Sequence, residues 1–310
     1  MTVRLGTRGS ALALAQAGRI RDAVEAAGET CELVVVRTEG DVSRASLAVI
    51  GGTGVFAGAL REALRSGEVD LVVHSLKDLP VAPAPGLVVA GVPEREDARD
   101  ALCARDGMAL IDLPAGARIG TGSPRRHAQL KAARPDARVV DLRGNVDTRL
   151  GRVVAGDLDA VVLSLAGLGR LGRGDAVTDV MPLEAWPTAA GQGALAIEVR
   201  EGDEPLLALA ARLTDPVAHD AATAERHVLG RLEAGCAAPI GVASRIETDG
   251  GTVWAAVHRP DGDGERLERR IETSWGEHDR GERLLAAAEE LARDLLADGA
   301  ADLAPLGASA

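Results

Sequence analysis

The chain exchanges two hydrophobic periods along its length, and this limits its fold more than any other property. Val3 to Gly6 reads as a short strand. Ala13, Ala17, Ile20, Val24 and Ala27 then recur at steps of four and three, one face of a helix. Gly28 can close that helix, because a residue without Cβ enters the left-handed conformation freely. Leu33 to Arg37 is a second strand. The pattern repeats with helix Val55 to Ser66 and strand Val69 to His74. Strand Ala117 to Thr121, helix Pro124 to Ala133 and strand Ala137 to Leu142 follow. Helix Val146 to Ala155, strand Ala160 to Leu163 and short helix Ala166 to Leu171 complete the series. Strands alternating with helices of about ten residues predict α/β layers with largely parallel pairing.

The C-terminal part reads differently. Val217 to Leu232 is one long helix. Gly241 to Glu247 and Thr252 to His258 are strands joined through Asp249-Gly250-Gly251, a hairpin signal. Arg266 to Ser274 is a third strand, and Leu284, Ala288, Leu291 and Leu295 mark a closing helix. This predicts an α+β domain with an antiparallel sheet. Two turn-rich junctions, 93–99 and 187–193, separate the α/β segments.

Composition removes several function classes. Phe56, Trp186, Trp254 and Trp275 are the four aromatic residues, too few and too scattered for a base-stacking platform. A net charge of −12 opposes nucleic-acid binding over the whole surface. No apolar run approaches the roughly 20 residues of a membrane helix, and the N-terminus lacks a signal-peptide pattern, so a cytoplasmic protein is expected. Cys31, Cys103 and Cys236 have neither disulfide nor zinc spacing. Cys31 and Cys103 lie in strand-like apolar runs and read as buried. Cys236 follows Gly235 among small residues and is accessible in principle. No metal motif, Walker motif or dinucleotide fingerprint is present.

The polar residues of interest follow predicted strands, where open α/β folds bind ligands. His74-Ser75-Leu76-Lys77-Asp78 ends one strand and carries one of the chain's two lysines. It reads either as a functional carboxylate aimed by its neighbours or as a solvated ion pair. Thr121-Gly122-Ser123-Pro124-Arg125-Arg126 is a small-residue turn into a helix. Two arginines in a first helical turn oppose the helix dipole. A bound carboxylate or phosphate would resolve the conflict, and arginines bent back into solvent are the plain alternative. Arg143 to Arg149, Arg8 beside Ser10, and Arg170 follow other strands. Of 35 basic residues 33 are arginine, whose planar fork suits carboxylates. The set predicts a local basic cleft for a multiply anionic small molecule.

In order from residue 6 to residue 241, GTRGSALALAQ, VVHSLKDLP, GTGSPRR, LRGNVDTRL, LAGLGRLG, AAGQGALAIE and LEAGCAAPIG resemble the hydroxymethylbilane synthase family, also called porphobilinogen deaminases. The resemblance implies an α/β fold of two lobes like those of type II periplasmic binding proteins, with a smaller C-terminal α+β domain. The implied division is 1–94 plus 194–212, 95–193, and 213–310. It implies a transferase that joins four porphobilinogen molecules head to tail into hydroxymethylbilane, releasing ammonia, in tetrapyrrole (porphyrin and heme) biosynthesis. The implied cofactor is dipyrromethane, held by a thioether to Cys236. The implied catalytic carboxylate is Asp78. Cofactor contacts fall on Ser75, Lys77, Thr121, Ser123, Arg125, Arg126 and Gln192. Substrate contacts fall on Arg8, Ser10, Phe56, Arg143, Arg149 and Arg170. A monomer is implied, with its product passed to a cyclising enzyme.

Thr53 and Gly58 depart from the lysines of the family pattern, and Arg44 or Arg61 is the candidate to replace that charge. Pro124 stands where leucine is usual. The alternative, a cytoplasmic two-lobed binding protein for a carboxylate ligand, explains the basic strand ends equally well. It gives no role to the C-terminal domain or to Cys236.

Overall fold

The computed structural model describes residues 1–36, 55–233, 238–260, 264–304 and 306. In chain order the first elements are β1 (Thr2–Thr7), α1 (Ala11–Ala26), β2 (Thr30–Val35), α2 (Val55–Arg65), β3 (Leu71–Ser75), β4 (Leu87–Gly91) and β5 (Asp100–Ala104). Then come β6 (Arg118–Thr121), α3 (Pro124–Ala133), β7 (Arg138–Asp141), α4 (Val146–Val154), β8 (Ala160–Ser164), α5 (Leu165–Arg170) and β9 (Asp179–Val180). The chain continues through β10 (Leu195–Arg200), α6 (Glu204–Arg212), α7 (Pro216–Arg231), β11 (Ile240–Ile246), β12 (Gly250–His258), β13 (Arg266–Ser274), α8 (Arg280–Ala297) and α9 (Ala300–Leu303). Two compact units form, residues 1–96 with 194–222 and residues 97–193 with 223–309.

The first unit holds a five-stranded sheet ordered β2-β1-β3-β10-β4, and the second holds one ordered β7-β6-β8-β5-β9. The two have the same plan. In each, the first three strands are parallel, and the fourth and fifth are joined antiparallel. The expected parallel pairing therefore holds for half of each sheet. In the first unit, β10 follows Ala194, whose carbonyl accepts from the Leu76 amide just beyond the end of β3. A strand entering a sheet at its neighbour's far end must run against it.

Helices cover both faces of the first sheet. Ala17, Ile20 and Val24 of α1 pack on Leu5, Leu71 and Ile197 from one side. Leu60, Ala63 and Leu64 of α2 pack on Val69 and Val72 from the other. Each such large side chain contributes about 1.5–3 kcal/mol on full burial. Gly28 has φ 92°, the left-handed cap expected of it. Cys31 and Cys103 are buried strand residues. Among the described residues, no helix is long and apolar enough to cross a membrane.

The second unit also contains the antiparallel sheet β11-β12-β13. One face of it, with Val242, Val253, Ala255 and Val257, packs on Val228 of α7 and on Leu284, Ala288, Leu291 and Leu295 of α8. The other face meets the segment after β9. The Trp254 indole donates to the Leu183 carbonyl at 3.3 Å. A Cβ on Gly241 would lie 2.3 Å from the Pro187 oxygen, so only glycine allows this approach.

His258 is buried on β12, where desolvation and then the charges of Arg266 and Arg125 push its pKa down to about 4. It is neutral in the folded chain at pH 7. Between about pH 4 and the ordinary value near 6.5 the unfolded chain binds this proton and the folded chain does not. Stability therefore rises with pH across that window, by on the order of 3 kcal/mol at most. Urea unfolding measured at successive pH values should show this slope, and His258→Gln should remove most of it. An unchanged slope in the variant would refute the assignment.

Candidate active site

In the first unit, β1 and β3 are parallel neighbours, so the segments after them share one sheet edge. Beyond β1 come Arg8 and Ser10, both half-buried. Ser10 caps α1, its hydroxyl accepting from the Ala13 amide at 3.3 Å. Beyond β3, the residues Leu76–Asp78 form one 3-10 turn. Leu76 and Leu79 anchor it in the core at 2% exposure each. Between those anchors Lys77 is half-buried and Asp78 is exposed. The Ser75 hydroxyl accepts from Gln16 Nε2 at 2.8 Å. Asp78 makes no hydrogen bond or ion pair with a described residue, so the ion-pair reading of this segment does not apply to its carboxylate.

Phe56 stands in the first turn of α2. Thr53, Arg44 and the glycine segment 51–54 lie outside the described residues. Gly58 is exposed, with open space where a side chain would project. Arg61 does not stand in for the missing lysines. Its guanidinium turns inward onto Glu198 of β10, with Nη2 2.8 Å from Oε1.

In the second unit, β6 ends at buried Thr121, and Ser123 caps α3 by accepting from the Arg126 amide at 3.4 Å. Pro124 occupies the first turn without disturbing it. The Thr121 hydroxyl accepts from the Ser123 amide at 3.2 Å. Arg125 and Arg126 are neither bent into solvent nor left to oppose the helix dipole. They are 4% and 6% exposed and converge on Asp100, the fully buried first residue of β5. Arg125 Nη2 lies 2.9 Å from one oxygen of Asp100, and Arg126 Nη2 lies 2.7 Å from the other. Trp186 Nε1 and Gln192 Nε2 also donate to this carboxylate, at 3.1 and 2.8 Å.

Burial alone would raise the pKa of Asp100; the two arginines and these hydrogen bonds more than reverse that, so it stays ionised. Gln192 is 1% exposed and also donates to the Ala98 carbonyl at 2.7 Å, tying residues 187–193 to the segment that leads into β5. Arg125 and Gln129 both donate to the Pro187 carbonyl.

One carboxylate cannot neutralise this group. Arg149, half-buried on α4, donates to the Gly144 carbonyl at 2.7 Å. Its pKa is pushed down by burial and then by repulsion from Arg126 and Arg143, with Asp141 acting in the opposite sense. Arg143 is exposed, 3.7 Å from Asp141. Arg170 ends α5 with Nη2 2.6 Å from the Gly193 carbonyl. Cys236 lies outside the described residues, between α7 and β11. Among the described residues, no group of His, Cys, Asp and Glu could hold a metal ion.

The structure thus brings Arg125, Arg126 and Gln192 together around Asp100, and places Arg149 where Arg126 and Arg143 repel it. Ser75, Lys77 and Asp78 share one short segment of the first unit. Sequence reasoning missed Asp100, Gln129 and Trp186. The available signal was an acid opening the apolar strand DALCA, since a buried charge needs a partner.

Comparison with known proteins is extensive. A family model described as "Porphobilinogen deaminase, dipyromethane cofactor binding domain" matches residues 3–208. A second, "Porphobilinogen deaminase, C-terminal domain", matches residues 220–293. The porphobilinogen deaminase of Leifsonia xyli subsp. xyli is 58% identical over 98% of this chain and 94% of its own. Porphobilinogen deaminase 1 of Streptomyces coelicolor is 52% identical over 97% of each. Among solved structures, the methionine binding protein MetQ aligns with TM-score 0.45 and 12% identity, over 73% of this chain and 94% of its own. Two family models spanning nearly the whole chain, and relatives more than half identical to it, establish that this chain belongs to the porphobilinogen deaminase family.

Proposed function

We propose that the arginine cluster of the second unit holds the carboxylates of a growing pyrrole chain, and that Asp78 is the carboxylate at which each unit is joined. As a porphobilinogen deaminase, a transferase also known as hydroxymethylbilane synthase, the chain condenses four porphobilinogen molecules head to tail into hydroxymethylbilane. Ammonia leaves at each step, and the product feeds porphyrin and heme synthesis. The dipyrromethane cofactor, when bound, supplies the pyrrole terminus that is extended.

The observation that carries this reading is surplus positive charge. Arg125, Arg126, Arg143 and Arg149 face the carboxylates of Asp100 and Asp141, and the pKa of Arg149 is depressed by burial and by its neighbours. Acetate and propionate arms are the complement of such a cluster. The hydroxyls add to the fit. Those of Ser10, Ser75, Thr121 and Ser123 each accept a hydrogen bond inside the fold, which leaves the O–H to donate to an anion. In this reading Ser75, Lys77, Thr121, Ser123, Arg125, Arg126 and Gln192 hold the cofactor. Arg8, Ser10, Phe56, Arg143, Arg149 and Arg170 hold substrate.

Asp78 sits at a strand end with an exposed carboxylate that no other described residue occupies. It can lie against the positive charge that develops as ammonia leaves, and it can accept an N–H or move a proton. Cys236 is proposed as the attachment sulfur. Burial pushes the thiols of Cys31 and Cys103 up to about 11, which keeps them protonated and unreactive. The reading divides the chain at 1–94 plus 194–212, 95–193 and 213–310. It treats the protein as a cytoplasmic monomer that hands its product to a cyclising enzyme. With a net charge of −12, it assigns no nucleic-acid partner.

The test is made on the purified chain. Its intact mass should exceed the sequence mass by a two-pyrrole increment, and peptide mapping should find that increment on the fragment containing Cys236. Porphobilinogen should be consumed with one ammonia released for each molecule. Saturable porphobilinogen binding with no increment and no ammonia would instead support the carboxylate-binding alternative.

A further inference from the structure

The described parts of the first unit contain one buried ionic group that the reaction as outlined does not use. Glu198, in the middle of β10, is 1% exposed. Arg61 of α2 grips it through two nitrogens, with Nε 3.0 and 3.1 Å from the two oxygens and Nη2 2.8 Å from Oε1. On its other side, Oε2 lies 3.2 Å from Nε2 of His74, a buried residue of β3. The strands explain the meeting. Ala196 pairs with His74 across the antiparallel ladder, so Glu198, two residues on, projects from the same face beside it.

Burial would raise the pKa of Glu198, but the hydrogen bonds from His74 and Arg61 outweigh it and the carboxyl is held below its usual range. An ionised carboxylate only accepts hydrogen bonds, so the proton between the two lies on Nε2 of His74. That fixes the ring's orientation. His74 directly precedes Ser75 and the turn that carries Lys77 and Asp78.

We propose that Glu198, gripped by Arg61, is a positioning residue for the condensation, holding His74 and through it the strand end that presents Ser75 and Asp78. This rests on the assignment of Asp78 above. A carboxylate that must meet charge developing on substrate tolerates little displacement, since catalytic geometry is held to within about 0.5 Å. The tie to Arg61 also anchors α2, whose first turn contains Phe56, to β10.

The experiment compares His74→Phe, His74→Gln and Glu198→Gln as cofactor-bearing enzymes, with occupancy normalised by intact mass. His74→Phe removes the donor, whereas the amide of His74→Gln can restore it. Glu198→Gln keeps an acceptor oxygen but removes the charge. His74→Phe and Glu198→Gln should each lose about tenfold or more in kcat with KM for porphobilinogen within about twofold, as expected when a transition-state interaction is lost. His74→Gln should recover most of the kcat lost in His74→Phe.

A purely structural ion pair would instead lower the urea midpoint in all three and leave kcat per folded, loaded molecule unchanged; that result overturns the proposal. Equal kcat in His74→Gln and His74→Phe overturns it as well. Asp78→Asn is assayed alongside. If it turns over normally, the assignment of Asp78 has failed. If it is inactive while His74→Phe and Glu198→Gln are fully active, only the positioning role has failed.

Discussion

Asp78→Asn should fold and take up cofactor normally, and should turn over porphobilinogen about a hundredfold or more slowly, the usual cost of removing one preorganised electrostatic partner of a transition state. The structural cost should be small. Asp78 is exposed and makes no hydrogen bond or ion pair with a described residue, while the turn around it is anchored by Leu76 and Leu79. Surface changes of this kind shift stability by about 0.5 kcal/mol or less. The asparagine keeps the shape and one oxygen, so the difference isolates the negative charge. Urea unfolding, intact mass and ammonia release measured on one preparation separate the effects. Turnover within a few-fold of the unaltered chain would refute the assignment.

Asp100→Ala should have the reverse signature, a large loss of stability of the second unit. Its carboxylate accepts from Arg125, Arg126, Trp186 and Gln192 at once, and removing it leaves two guanidiniums buried without their counter-charge. Breaking a buried pair in this way costs about 3–5 kcal/mol, because the remaining charge is uncompensated. Replacing both partners costs less. Asp100→Ala combined with Arg126→Met should therefore be more stable than the sum of the two single changes predicts, a coupling measurable in a double-mutant cycle. Purely additive losses would show that the pair is not the unit of stability. A second effect follows on cofactor loading, because Asp100 sets where Arg126 points and Arg126 in turn repels Arg149.

Much of the fold was legible in the sequence because its signals are local. The steps of four and three along α1, the glycine that closes it, a hairpin near Asp249 (its turn lies at 247–249, with Gly250 and Gly251 already in β12) and the apolar stripe of α8 each depend on neighbours in the chain. The motifs after β1, β3 and β6 were legible for the same reason. A strand that stops and is followed by small hydroxyl residues with arginine or lysine announces itself within ten residues of sequence. The family was readable from those motifs taken in order.

What the sequence could not settle was decided by partners far along the chain. β10 and β5 run antiparallel to their neighbours because of where the chain enters each sheet, and no residue within a strand encodes that direction. Arg125 and Arg126 read as solvent-facing or ligand-facing from their helix alone. Asp100, some 25 residues earlier, turns both inward. Arg61 was one of two candidates, with Arg44, to replace the missing lysines, and Glu198, 137 residues later, pairs with it instead. The sequence by itself thus determined the family and most of the helices and strands, while β4, β9, β10 and α6 were not among its expectations. The tertiary structure decided which of these charges are paired within the fold. A buried ion needs a counter-ion at hydrogen-bond distance, and only folding brings the two together.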